Sequence, residues 1–117
     1  MKISKHNAEH YLWGDNCDGW HLVKNQELSI IHEHMPGNTS EVRHYHLHSR
    51  QFFFILSGSA TLEVNGQRNI LKPQEGYEVP PQVPHQIFNH TGSGVELLVI
   101  SQPNSKGDRV LVNNKFT

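Results

Sequence analysis

A single cysteine, Cys17, leaves this 117-residue chain without any internal disulfide. That usage fits a reducing compartment. Long apolar runs are missing too. Hydrophobic residues make up 35% of the chain, and none of their runs is long enough to span a bilayer. The opening stretch MKISKHNAEHYLWGD has no continuous apolar segment of the signal-peptide kind. The expectation is a cytoplasmic protein without a membrane partner. An excess of one charge is also lacking: Lys and Arg total 10, Asp and Glu 11, and no basic stripe stands out. Nucleic acid is therefore not an expected partner. No Ser-His-Asp order, phosphate-cradling glycine loop or paired-carboxylate motif is present, which argues against hydrolase and nucleotide-binding chemistry. No window of ten or more residues carries a helical period. At this length residues 1–117 form one domain.

What the chain has in plenty is histidine, ten in all. It also has short β-branched or aromatic segments separated by turn residues, the pattern of an all-β domain. Strands are predicted over 21–24, 28–35, 40–46, 51–56, 60–64, 67–71, 77–79, 85–89 and 95–102. Asn65-Gly66 suits a two-residue type I′ hairpin turn, and Pro36-Gly37, Ser57-Gly58, Pro80-Pro81 and Gly92-Ser93-Gly94 punctuate the rest. Many short strands at this spacing predict a sandwich or barrel. Phe52 to Leu56 and Leu97 to Ile100 are apolar without alternation, so both faces of those strands need cover. A second subunit would provide it, by sheet-to-sheet or strand-exchanged contact, and a homodimer is expected. The chain's own terminal segments, with Trp13 and Trp20, are the alternative cover.

The stretch from Gly37 to Gln51 carries the chemistry. His44 and His46 are two apart on a predicted strand. They share a face, roughly 6–7 Å from Cα to Cα, and can lean together onto one ion at about 2.0–2.1 Å. After a short turn the chain re-enters a strand at Gln51, whose antiparallel return would bring a carboxamide oxygen beside the pair. A further ligand must come from elsewhere. His85, after a Pro-rich turn, is the best candidate. His48 continues the same alternation and could replace Gln51, although its place in the turn favours the rim.

In combination these residues resemble the cupin family. Its first motif runs Gly, five residues, His-x-His, three or four residues, Glu, six residues, Gly. Here His44, His46, Gln51 and Gly58 match, and Gly37 sits one residue further out. The second motif, Gly, five residues, Pro-x-Gly, two residues, His, three residues, Asn, is met by Pro80, His85 and Asn89. The motifs span residues 37–89. The resemblance implies an all-β double-stranded β-helix, or jelly-roll barrel, with one divalent metal ion (Mn, Fe, Ni or Zn) in its mouth, open to a small-molecule ligand. Three positions depart from the pattern. Gln51 replaces the usual Glu, and Gln74 and Gln82 stand where motif glycines fall.

Three neutral imidazoles and a neutral amide leave a divalent ion its full charge. Such a shell favours Lewis-acid chemistry and an anionic ligand and disfavours trivalent iron or manganese. The expected function is that of a metal-binding cupin acting on a small polar or anionic metabolite, isomerase- or lyase-like. A metal-dependent dioxygenase and a non-catalytic ligand-binding cupin are the alternatives. Cupins that open uronate rings are similar in using a His, His, Gln, His set, with an acid–base carboxylate on a late strand. Here residues 97–102 contain none, and Glu96 stands at the very start of that strand. His32 and His34 either line the mouth or sit outside it; if they face inward, one is the expected general base. Tyr45 and Arg43 are read as sheet-surface residues, Tyr77 and Glu78 as strand-edge residues, and Met35 and Phe53 as core. Gly107-Asp108-Arg109 is read as a turn; the lesser reading is a C-terminal arm whose Arg109 crosses to a partner subunit or binds a substrate carboxylate.

Overall fold

The computed structural model describes residues 1–112. Its strands are β1 (Glu9–Trp13), β2 (Cys17–Lys24), β3 (Ser29–Met35), β4 (Thr39–Ser40), β5 (His44–His46), β6 (Arg50–Ser57), β7 (Ala60–Val64), β8 (Gln67–Leu71), β9 (Gly76–Val79), β10 (His85–Asn89), β11 (Val95–Gln102) and β12 (Arg109–Leu111). They form two antiparallel sheets facing each other. One has the order β1-β2-β3-β11-β6-β9, the other β12-β5-β10-β7-β8, with β4 added alongside β10. This is the all-β double-stranded β-helix. The described residues contain no helix, hence none long and apolar enough to cross a membrane.

Alternation decides what faces inward. Ala60, Leu62 and Val64 on β7, Ile55 and Phe53 on β6, and Val95, Leu97 and Val99 on β11 are buried between the sheets. Asn65 and Gly66 both take positive φ, 52° and 85°, and close the β7–β8 hairpin as a type I′ turn. One end of the interior is apolar and sealed by Cys17, Met35 and Val95. Buried Asn89 ties that end together: its Nδ2 donates to the carbonyls of Met35, Pro36 and Ser93 at 3.0, 3.1 and 2.7 Å, and its Oδ1 accepts from Thr91 N–H at 3.0 Å and from the Thr91 hydroxyl at 2.7 Å. Towards the other end the interior turns polar, with Ser29, Ser101 and Gln51 in register across β3, β11 and β6.

The structure corrects the sequence reading at several points. The strand expected over 40–46 is two pieces, β4 and β5, on either side of Glu41. There Glu41 N–H donates to the Ile87 carbonyl and Gln86 Nε2 to the Glu41 carbonyl, which breaks the ladder along β10. β1 is an edge strand the pattern did not announce, since only Tyr11 and Trp13 turn inward while Glu9, His10 and Leu12 are exposed. Gly107 does turn the chain at φ 84°, but Arg109 lies in β12 opposite His46. The first two strands extend their sheet instead of folding over its outer face, and Trp13 lies inside, so neither covers Phe52.

The motif-glycine departures take the conformation a glycine would. Gln74 and Gln82 have φ of 70° and 68°, a region that costs an L-residue roughly 1 kcal/mol or more. Gln74→Gly relieves that strain far from the site. It is expected to stabilise the protein by about 0.5–1 kcal/mol once the greater unfolded-state entropy of glycine is deducted. Differential scanning calorimetry should show Tm higher by a few degrees; an unchanged or lower Tm would contradict this account of the turn.

Candidate metal centre and pocket

Three imidazoles come from one sheet. In the antiparallel register His44 on β5 stands opposite His85 on β10, and His46 is two residues along β5. One nitrogen of each ring lies within 4.8 Å of those of the other two. The ring centroids are 4.5 Å apart for His44–His85 and 4.9 Å for His44–His46. All three are buried.

The other nitrogen of each ring is occupied. Nδ1 of His44 donates to the Val42 carbonyl at 2.9 Å, that of His85 to the Val83 carbonyl at 3.0 Å, and that of His46 to Asp108 Oδ1 at 2.8 Å. Oxygens of that kind accept only, so Nδ1 carries the hydrogen and Nε2 keeps its lone pair in a neutral ring. Burial, partly offset by those carbonyls, pushes His44 down to about 3 and His85 to about 4. These two rings are neutral at physiological pH.

Gln51 reaches the same place from the opposite sheet, not from a strand beside β5. Residues 47–49 carry the chain across, and Asp108 Oδ2 holds that crossing by accepting from the N–H groups of His48 and Ser49, both at 2.9 Å. Gln51 Oε1 lies 3.0 Å from His85 Nε2, and Gln51 Nε2 donates to Ser101 Oγ at 3.0 Å. Two electron-pair donors thus face each other in a buried setting, an arrangement that a cation between them would satisfy. The donor set fits a divalent first-row ion, and the Nδ1 partners are the outer hydrogen bonds that orient metal-binding imidazoles.

The site opens into a cavity of about 210 Å³ lined by, among others, Tyr11, Glu33, Glu41, Phe53 and Arg109. An apolar cavity of about 150 Å³ holds benzene, so a molecule of a few carbons fits. Glu33 and Glu41 are half-buried on its wall. Burial raises Glu33 to about 8, with the Glu41 charge adding and Arg109 opposing; burial raises Glu41 to about 7 against the pull of Arg109 and of the Ile87 N–H. Burial and these two carboxylates also raise the Tyr11 phenol. Exposed Arg109 has no ion-pair partner among the described residues.

His32 and His34 do not face this cavity. β3 turns Ile31 and Glu33 inward, so the even-numbered residues point out. There His32 Nε2 bonds Glu96 Oε1 at 2.7 Å and His34 Nδ1 bonds Asp18 Oδ2 at 3.3 Å. The condition for either to act as a general base is not met. His48 is exposed and away from the three rings, and Glu78 pairs with Arg50 at 2.6 Å on the surface. The sequence reading passed over Glu33, Glu41 and Tyr11, and saw Asp108 only as part of a turn. The parity of Ile31 and Met35 along β3 was the available signal for Glu33.

A family model described as a cupin domain matches residues 31–101. An uncharacterized protein of Methanocaldococcus jannaschii is 23% identical over 82 residues, 70% of this chain; that stretch is 66% of the relative, just under two thirds of its length. Among solved structures, KdgF from Halomonas sp. superposes with a TM-score of 0.82 at 12% identity, covering 91% of this chain and 96% of that one. A sugar phosphate isomerase of a cupin superfamily from Silicibacter pomeroyi gives 0.80 at 14%, covering 97% and 93%. At these identities the likeness is one of fold.

Proposed function

This chain belongs to the cupin family, and from that premise we propose that it is a single-domain cupin holding one divalent ion on His44, His46, His85 and Gln51. It acts on a small anionic metabolite in the manner of an isomerase or lyase. The observation that carries this reading is the uncharged donor set beside an Arg109 that has no ion-pair partner among the described residues. Nothing in the set lowers the charge of the ion, and Arg109 adds to it at the mouth, so an anion is the complementary ligand. A bound divalent ion would supply Lewis acidity at a carbonyl oxygen. The protein's own part is to orient and to exclude water. Arg109 offers a forked donor to a carboxylate or phosphate, Phe53 and Val99 give the ligand a dry wall, and Asp108 fixes the His46 ring. That one solved cupin of the same fold is described as a sugar phosphate isomerase supports the class.

Untagged protein purified without added metal is expected to carry close to one Mn, Fe, Ni or Zn per chain by elemental analysis. The metal-loaded protein should place solvent deuterium into a member of a panel of sugar phosphates and keto acids. Oxygen consumption on a diketone and catechol panel, without deuterium exchange, would replace this reading with a dioxygenase. Absence of a metal site in both elemental analysis and Zn²⁺ calorimetry would end it.

We also propose a homodimer through the outer face of the β6–β11 sheet. Phe52 is 38% exposed there, stacked on Phe54 with ring centroids 6.2 Å apart, and half-buried Leu98 and Ile100 lie on the same face. Phe52→Glu should halve the mass measured by light scattering while circular dichroism stays unchanged. A wild-type protein that is already monomeric would refute the proposal.

A further inference from the structure

The interior of the larger sheet contains a line of residues that the metal site does not use. Tyr11 on β1 stands opposite Gly19 on β2, Gly19 opposite Glu33 on β3, and Glu33 opposite Leu97 on β11. A side chain at residue 19 would collide with the Tyr11 ring. Glycine there lets the phenol lie over β2 towards Glu33. From the facing sheet Glu41, at the break between β4 and β5, enters the same cavity, where its Oε1 accepts from Ile87 N–H at 3.3 Å. Glu33 has no hydrogen-bond partner for its side chain among the described residues. Glu33 and Tyr11 from the larger sheet and Glu41 from the sheet that carries the imidazoles therefore line one cavity together with Arg109.

We infer that Glu33 and Glu41 share one proton and act as the proton-transfer pair for a small carboxylate-bearing ligand seated between Arg109 and the three imidazoles. This deepens the function proposed above and rests on its placement of the ligand. Two like charges in one poorly hydrated cavity resist ionising together, so burial and mutual repulsion hold both carboxyls above their ordinary range and the pair still keeps a proton at neutral pH. A carboxyl pair held in that state at neutral pH can accept a proton from carbon next to a ligand carbonyl and return it to the same or an adjacent atom; no electrons change hands. Tyr11 from β1, His44 and His46 from β5 and Arg109 from β12 line the cavity with the pair, and Cys17 from β2 lies close enough to Glu33 to feel its charge. Among them the Arg109 cation keeps the singly charged state within reach, while the Tyr11 phenol stays protonated and can donate to the pair or to the ligand. The role sought in His32 and His34 thus passes to the residue between them.

The test uses the full chain labelled with ¹³C at the glutamate side-chain carboxyls, titrated by NMR with and without one equivalent of Zn²⁺. In the metal-free protein two resonances should have midpoints near 7–8, well above the ordinary value of about 4.3. Glu41→Gln, which removes the neighbouring charge, should lower the Glu33 midpoint. A second readout is calorimetry of oxalate binding to the Zn²⁺-loaded protein at pH 8 in buffers of different ionisation enthalpy. Wild type should take up more protons per oxalate than Glu33→Gln/Glu41→Gln. Ordinary midpoints for both carboxyls, equal proton uptake in the two proteins, or no oxalate binding at all would each overturn the inference. If the carboxyls titrate as expected but Zn²⁺ fails to bind, it is the metal-centre reading that falls. If Zn²⁺ binds and the carboxyls titrate normally, only the present inference falls.

Discussion

His85→Ala loses the metal: affinity for Zn²⁺ falls roughly 10²–10³-fold, and the protein as purified carries far less than one ion per chain. The scale is taken from the roughly 10–16 kcal/mol of apparent free energy with which zinc-finger peptides hold a structural Zn²⁺ on four ligands. Divided over four donors, each is worth about 2.5–4 kcal/mol, near two to three decades in affinity. His85 is also the ring against which Gln51 Oε1 rests, so its removal leaves the amide held only through its bond to Ser101. His44→Ala should behave alike. Because the ring of His85 is fully enclosed and meets Phe53 edge-on at 5.6 Å, the alanine leaves a cavity and some stability is lost as well. Calorimetric titration of refolded, circular-dichroism-checked variants separates the two effects. Full metal retention in both variants would defeat the assignment of ligands.

Asp108→Ala is expected to be the most damaging change away from the rings themselves. One carboxylate accepts three hydrogen bonds, from His46 Nδ1 and from the N–H groups of His48 and Ser49, and its side chain is 11% exposed. Alanine strands three donors in a poorly hydrated place, at a cost of about 3 kcal/mol. Asparagine is no remedy, since its amide nitrogen would face an N–H. Metal affinity should drop a further 10- to 100-fold, the usual effect of removing the partner that orients a metal-binding imidazole. The pH dependence has a definite sign. Burial works to raise the pKa of Asp108, but the bonds from His48, His46 and Ser49 together outweigh it and hold the carboxyl below its ordinary 3.8. A depressed folded-state value gives stability that is present above about pH 4 and lost as pH falls through that lower value. Urea unfolding of wild type and Asp108→Asn should therefore differ at pH 7 and converge on acidification. A gap that persists at the lowest accessible pH would show that packing, not charge, explains the loss.

Much of the architecture was legible because period-2 alternation and turn chemistry are local. The strands at 60–64, 67–71, 85–89 and 95–102 and the Asn65-Gly66 turn needed no tertiary information. The meeting of His44, His46, Gln51 and His85 was readable for a different reason: the spacing of donors on strands and turns survives as a pattern. What failed was phase and distance. In β3 two isoleucines sit side by side, so Ile30 and Ile31 vote for opposite faces and the histidines could be read as inward. Only the register with Gly19 and Leu97 settles that Glu33 shares the inner face with Ile31. Asp108 was hidden because it lies 62 residues from His46 in a segment whose Gly-Asp composition speaks only of a turn. That Gln51 arrives from the opposite sheet was equally invisible, since a short connection between two strands looks the same whether it folds back or crosses over.

The strand β12 adds no residue to the apolar interior, yet it supplies Arg109 and follows directly on Asp108. Scaffold and chemistry are thus separable in sequence: a chain cut after Gln102 would retain every apolar layer of the barrel while forfeiting the anchor of one imidazole and the cation at the mouth. For anyone grafting or evolving this domain, the last ten described residues are the exchangeable cartridge, and the preceding 102 are its housing.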